Sequence, residues 1–251
     1  MYLQYITIVT NDNIGDGEYQ SQFRYHTRFI CHYLSKAIRK YRFETDGTFK
    51  MICITVGDCF SPKIDIDVLE VSVPFDKMRY EAIKGTNDCS YYLELFKQGF
   101  KIAKKFKDIP FSTLNTLITD FEKKDCIHSW LHLKKIFKQF NLKLKLIAQF
   151  TTNDYTLTAS FLDMKDQLIC SGVIIRTLPD EVFFEKTIKD VIIRNKTIVF
   201  LDYNKQDFIT MELNNIINGD FIFSFSEYPD PNNKIMTEVR RDIIKFLSYK
   251  G

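Results

Sequence analysis

No stretch of this chain runs to the roughly 18 apolar residues that a membrane-spanning helix needs. Its first residues, MYLQYITIVTND, carry neither a basic n-region nor a small-residue cleavage site, so a cytoplasmic location is the expectation. Histidine is scarce, four in 251 residues, and the six cysteines, Cys31, Cys53, Cys59, Cys89, Cys126 and Cys170, include no C-x-x-C pair. That excludes a zinc knuckle or a dithiol redox motif by spacing, and reduced, buried thiols are expected. Internal repeats, low-complexity tracts and Gly/Ser linkers are also missing. The reading is one compact body over residues 1–251, with possible halves at 1–141, rich in helix, and 142–251, rich in strand.

What is present is a soluble composition, 45% hydrophobic and 27% charged, with a formal charge of +3 that is unevenly placed. Residues 97–145 hold twelve lysines against four acids, a net +8, which leaves −5 for the rest. Such segregation can steer a charged partner, either an acidic protein or a nucleic acid.

Periodicity outlines the elements. Residues 2–9 predict a strand, and a polar turn leads into a helix from Glu18 to about Phe43, with Phe23, Thr27, Ile30, Leu34, Ile38 and Tyr41 as its buried stripe. Phe49–Val56 and Lys63–Val73 predict strands, the second with a bulge near Val68-Leu69, where the apolar parity switches. Asp88 is a plausible cap for a helix to about Lys107, Pro110 breaks it, and one or two helices are expected from Ser112 to Phe140. Beyond Leu142 the runs 144–151, 155–162, 168–176, 197–203, 207–212 and 220–226 predict antiparallel strands, and 180–195 fits helix or strand. Ile235, Met236, Val239, Ile243 and Leu247 mark a closing helix. The fold class is α+β: a strand-helix-strand unit and central helices packed with a mainly antiparallel C-terminal sheet and that closing helix.

The segment DCIHSWLH carries two histidines four apart. On a helix, at about 100° per residue, Cys126, Trp130, Leu133, Phe137 and Phe140 form the core face, and Asp125, His128 and His132 point outward together. Three such groups could ligate a metal, yet Ser129 stands where a zincin requires its general-base Glu, so a solvated polar face without metal is expected.

Other spacings fail on their own chemistry. Cys170 through Thr177 matches C-x5-R-T, but Val173-Ile174-Ile175 favours an extended strand over a phosphate cradle, and Ile169 replaces the activating His. Asp154, Asp163 and Lys165 match a nuclease spacing, but the eight residues between the acids form one strand that holds them apart. Asp120 and Glu122 diverge on a helix, and Asp65 with Asp67 reads as a solvated strand face. Gly15-Asp16-Gly17 lacks the third glycine of a dinucleotide fingerprint, its acids would repel a pyrophosphate, and Ile14 and Phe23 occupy ligand positions of a calcium loop; a capped helix start is expected. No nucleophile elbow surrounds a serine. No catalytic residue and no cofactor is assigned.

Two surfaces remain. Along the first helix Tyr25, Arg28, His32, Lys36 and Arg39 lie opposite the core stripe, flanked by Phe29 and Tyr33, a basic and aromatic face of the residue types that anchor interfaces. Lys97, Lys101, Lys104 and Lys105 form a second ridge, a point-charge surface better suited to phosphates than to base readout. The leading expectation is a non-enzymatic module that binds an acidic protein, of the bacterial immunity or antitoxin kind. Nucleic-acid binding by the segment 97–145 is the second reading, and an enzyme with a site assembled from separated residues the third.

Overall fold

The computed structural model of the protein describes residues 1–185 and 187–226, together with Glu238, Arg241, Asp242 and Lys245. The apolar residues of the expected closing helix, Ile235, Met236, Val239, Ile243 and Leu247, lie outside the described residues. The chain is α+β and divides into two compact units, Met1–His128 with Thr151–Asn153, and Ser129–Phe150 with Asp154–Gly251.

The first unit is built on a sheet of order β1-β2-β4-β3, from β1 (Tyr5–Thr10), β2 (Met51–Val56), β3 (Lys63–Asp65) and β4 (Val68–Val73). β1, β2 and β4 run parallel, with α1 (Gly17–Tyr41) as the crossover between the first two, while β3 is antiparallel to β4. The β3–β4 junction is not a bulge. Asp65 pairs with Val68, and Ile66 and Asp67 both have positive φ, 41° and 65°, the geometry of a two-residue primed turn. The parity switch is therefore a chain reversal. Ile52, Ile54, Val56, Leu69, Val71 and Val73 are fully buried.

Three helices follow: α2 (Lys77–Ile83), α3 (Ser90–Phe106) and α4 (Phe111–Glu122). α3 packs on the sheet through Gly99, where an added Cβ would stand 2.5 Å from Ile54 Cδ1. The α1 stripe is buried at Phe23, Thr27, Ile30, Leu34 and Ile38, but Tyr41, expected to join it, is 55% exposed. It occupies the last turn, just before Arg42 takes the left-handed conformation that ends the helix.

Helix does not continue to Phe140. Cys126 N–H donates to Phe121 O at 3.1 Å and Asp125 N–H to Glu122 O at 3.0 Å, a Schellman closure with Asp125 in the left-handed region. β5 (His128–Phe137) follows as a strand. It joins β6 (Leu142–Phe150), β7 (Tyr155–Leu162) and β8 (Leu168–Thr177) in the order β5-β6-β7-β8, with β6, β7 and β8 antiparallel. The other sheet of this unit is antiparallel, of order β12-β11-β10-β9, formed by β9 (Asp190–Arg194), β10 (Thr197–Leu201), β11 (Asp207–Glu212) and β12 (Ser224–Phe225), with α5 (Leu213–Ile217) after β11. The ambiguous 180–195 thus contains a strand, turned into β10 by Asn195 and Lys196, both at positive φ. The core of the second unit includes Phe150, Tyr155 and Phe184, with the last two rings stacked 3.7 Å apart.

Candidate binding surface on the first helix

α1 starts where Asp16 accepts from Tyr19 N–H at 2.9 Å, so the Gly15-Asp16-Gly17 stretch is the capped helix start. From there a 25-residue helix presents three strips. One is buried against β1, where Ser35 reaches the sheet edge. Its hydroxyl accepts from Ile6 N–H at 2.9 Å and donates to Ile6 O at 3.2 Å, covering backbone that the edge strand would leave exposed.

The second strip faces α4, and it corrects part of the expected binding face. Phe29 is 1% exposed, with its ring centroid 5.7 Å from that of Phe121, and half-buried Tyr33 stacks on the same ring at 4.4 Å. Both aromatics are used inside the unit, because Phe121, in the last turn of α4, fills the space beside α1.

The third strip holds Tyr25, Arg28, His32 and Lys36, all half-buried, and exposed Arg39. At its centre His32 Nδ1 and His128 Nε2 are hydrogen-bonded at 2.9 Å, and the Tyr33 ring stands edge-on to His128. Expected to point outward, His128 is 6% exposed. The Schellman turn redirects the chain after α4 and carries this side chain onto α1. Burial lowers the pKa of His32 to about 4, and Lys36, Arg39 and Arg28 add to the shift. Burial also lowers that of His128 to about 3, with His32, Lys36 and Lys124 adding. Both imidazoles are neutral at pH 7, one donating to the other. Burial likewise lowers the pKa of Lys36, reinforced by Lys40 and Arg39. His132, on β5 and half-buried, is bonded to Ile188 O at 2.9 Å.

The strip extends beyond the residues read from the helix. The Arg39 guanidinium lies 5.7 Å from the Tyr5 ring centroid, Arg42 lies 5.5 Å from that of Tyr2, and Arg24 lies 5.4 Å from that of Tyr25. Tyr2 and Tyr5 are 43% and 41% exposed. Among the described residues no carboxylate is ion-paired with Arg39, Lys40 or Arg42. For Tyr5 the sequence signal is the alternation in YITIV, which puts Ile6 and Ile8 inside.

The lysine ridge on α3 is partly engaged. Lys97 pairs with Glu122 at 3.4 Å and Lys104 sits 4.5 Å from the Phe111 ring centroid, while Lys101 and Lys105 are exposed. Lysines 97–124 belong to the first unit and lysines 134–145 to the second. The Cys170 segment is strand β8, where a Cβ on Gly172 would overlap the Phe221 ring, and Asp154 and Asp163 flank the two ends of β7. In the loops after β1 and β2, Asn13 donates to Asp58 at 2.6 Å. Among the described residues no three His, Cys, Asp or Glu side chains converge as metal ligands, and no helix is long and apolar enough to cross a membrane.

The cysteines depart from the expectation of reduced, buried thiols both in burial and in pairing. Cys31 and Cys170 are buried free thiols, Cys53 is half-buried and Cys59 is exposed, but Cys89 and Cys126 are paired as a disulfide. They lie 37 residues apart in sequence, and the packing of α3 with α4 brings them together. No known protein family, no curated protein and no solved structure matches this chain.

Proposed function

We propose that the chain is a non-enzymatic module that binds an acidic protein through the outer strip of α1, Tyr25, Arg28, His32, Lys36 and Arg39, widened by Tyr2, Tyr5 and Arg42. The observation that carries the reading is the row of arginines laid over tyrosines, with no carboxylate ion-paired with Arg39, Lys40 or Arg42 among the described residues. Burial lowers the pKa of Lys36, and the neighbouring charges of Lys40 and Arg39 lower it further, as like charges gathered on one face do. An acidic surface would offset those charges. Tyrosine anchors interfaces at a low cost in side-chain entropy, arginine is enriched among interface anchors, and positive charge gathered on one face accelerates encounter with an acidic partner. In its more specific form the module is a cytoplasmic immunity or antitoxin-like protein of bacterial type, and the partner is the toxin it neutralises.

The test is capture from native cells followed by kinetics on the purified pair. One stoichiometric acidic protein should co-purify, and the double variant Arg28→Glu, Arg39→Glu should fold normally yet associate markedly more slowly, with a weaker salt dependence. An unchanged association rate overturns the assignment. So does retention on single-stranded nucleic acid that neutralising Lys97, Lys101 and Lys104 abolishes, which places binding on the α3 ridge instead.

A further inference from the structure

We propose that the open face of the first unit's sheet is a docking surface for one helix of the acidic partner, apolar on the side that meets the sheet and lined with carboxylates on the flank that lies over β1. The inference rests on the reading of an acidic protein partner and names the part of it that docks.

β1, β2 and β4 run parallel, and a parallel sheet is ordinarily covered on both faces, because helices carry its crossovers. Here one face is covered. Ile6, Ile8, Ile52, Ile54, Leu69 and Val71 are at most 2% exposed, and α3 lies on that side, with Gly99 against Ile54. The opposite parity is open: Tyr5 and Val9 of β1 are 41% and 37% exposed, and Thr7, Met51, Cys53 and Thr55 are half-buried. Register sets these side chains in rows, Tyr5 beside Met51, Thr7 beside Cys53 and Val9 beside Thr55. The loop after β2 closes one corner, where the Ser72 hydroxyl accepts from Phe60 N–H at 2.7 Å.

Charge and size choose the occupant. The centre of the face is neutral, since Glu70, which pairs in register with Cys53, is bridged to Lys63 at 3.0 Å. At the β1 edge Arg39 lies 5.7 Å from the Tyr5 ring centroid, with Lys40 and Arg42 next in the chain, and among the described residues no carboxylate is ion-paired with any of the three. The opposite edge, on β3, carries exposed Asp65. Apolar side chains over the centre and carboxylates over β1 match that distribution. Strands about 4.8 Å apart and about 20 Å long make a face of roughly 300 Å², which one helix about 10 Å across fills. A second copy needs more, typically ~800 Å² on each partner, and would bring its own Arg39, Lys40 and Arg42 with it. An acidic partner gains further contact from the outer strip of α1, which meets the face where Arg39 lies beside Tyr5.

The test uses the full chain and a synthetic helix of about 20 residues, with leucine along one side and glutamate along one flank, against a control carrying lysine for glutamate. The glutamate helix should bind one per chain, about tenfold or more tighter than the lysine helix in low salt. Thr55→Arg, on the inner strand β2, should weaken that binding about tenfold, and Val9→Arg, at an exposed position, should do the same and keeps the test sound if Thr55→Arg does not fold. Arg39→Glu should narrow the preference for glutamate. A benzophenone on the leucine side should crosslink to Met51, Cys53 or Thr55. Equal binding of the two helices, full affinity in folded Val9→Arg, or a dimer of the protein that Val9→Arg separates would each overturn the proposal. Crosslinks confined to α1, with Arg28→Glu abolishing a binding that Val9→Arg leaves intact, overturn the open face and leave the α1 strip standing as the site. An unchanged association rate of a captured partner with the Arg28→Glu, Arg39→Glu variant removes the α1 strip instead, and helix binding lost in Val9→Arg then still supports the open face.

Discussion

His32 Nδ1 and His128 Nε2 lie 2.9 Å apart although 96 residues separate them in sequence. The bond requires at least one ring to be neutral so that its free nitrogen can accept, and a proton on both would break it and set two cations together amid Arg28, Lys36, Arg39 and Lys124. Their folded pKa values, about 4 and about 3, lie below the ordinary 6.5, so the unfolded chain binds more protons between those limits. Stability is therefore full above about pH 6.5 and falls as the pH drops toward 4. Half-buried His26, also lowered by burial, acts in the same direction. Between pH 7 and pH 5 the pair should lose roughly 2–4 kcal/mol of unfolding free energy. Urea titrations across that range measure it, and a flat profile would show that the pair does not titrate with folding.

Removing one ring should be costly. His128→Ala leaves half-buried His32 without that partner and opens a void against Tyr33, which should cost about 1–3 kcal/mol. Half-buried His132 makes a single bond to Ile188 O, and its replacement by Ala should cost about 1 kcal/mol. An exposed histidine pair would leave the melting temperature within a few degrees of wild type. A double variant that melts there contradicts the buried placement.

Ser35→Ala should destabilise by about 1–2 kcal/mol, because it removes both the acceptor for Ile6 N–H and the donor to Ile6 O. β1 is an edge strand, so the uncovered backbone should also pair between molecules. Chemical denaturation reads the first effect and light scattering the second. Unchanged stability would mean that solvent replaces the hydroxyl without loss.

Gly99→Ala sets two effects against each other. Helix propensity favours Ala by about 1 kcal/mol, but the added methyl meets Ile54 in a packed core, where overfilling costs typically ~1–3 kcal/mol. Net destabilisation is expected, with partial rescue by Ile54→Val. A stabilised single variant would show that the helix can shift off the sheet.

Much of the backbone was legible because its signals are local. The stripe Phe23, Thr27, Ile30, Leu34 and Ile38 is a helical period that burial reproduces, and the runs at 155–162, 168–176 and 207–212 meet β7, β8 and β11 nearly end to end. The expectation of an exposed cationic face on α1 holds for Arg39, which is exposed, whereas Tyr25, Arg28, His32 and Lys36 are half-buried.

Segment 128–137 shows where that reasoning stops. HSWLHLKKIF has neither strict alternation nor a clean 3.6 period, and Leu and Lys favour helix, so its strand state comes from pairing with β6. Propensities of a few tenths of a kcal/mol per residue yield to a hydrogen-bonded neighbour. From the same cause, Phe29 and Tyr33 look like interface anchors on the helix but are claimed by Phe121. The sequence alone determined the apolar stripe of α1 from Phe23 to Ile38 and where charge accumulates, since both follow from neighbours a few positions away. The tertiary structure alone decided that His128 meets His32 and Cys126 meets Cys89, because contacts across 96 and 37 residues depend on how helices and strands pack, and no local period encodes that.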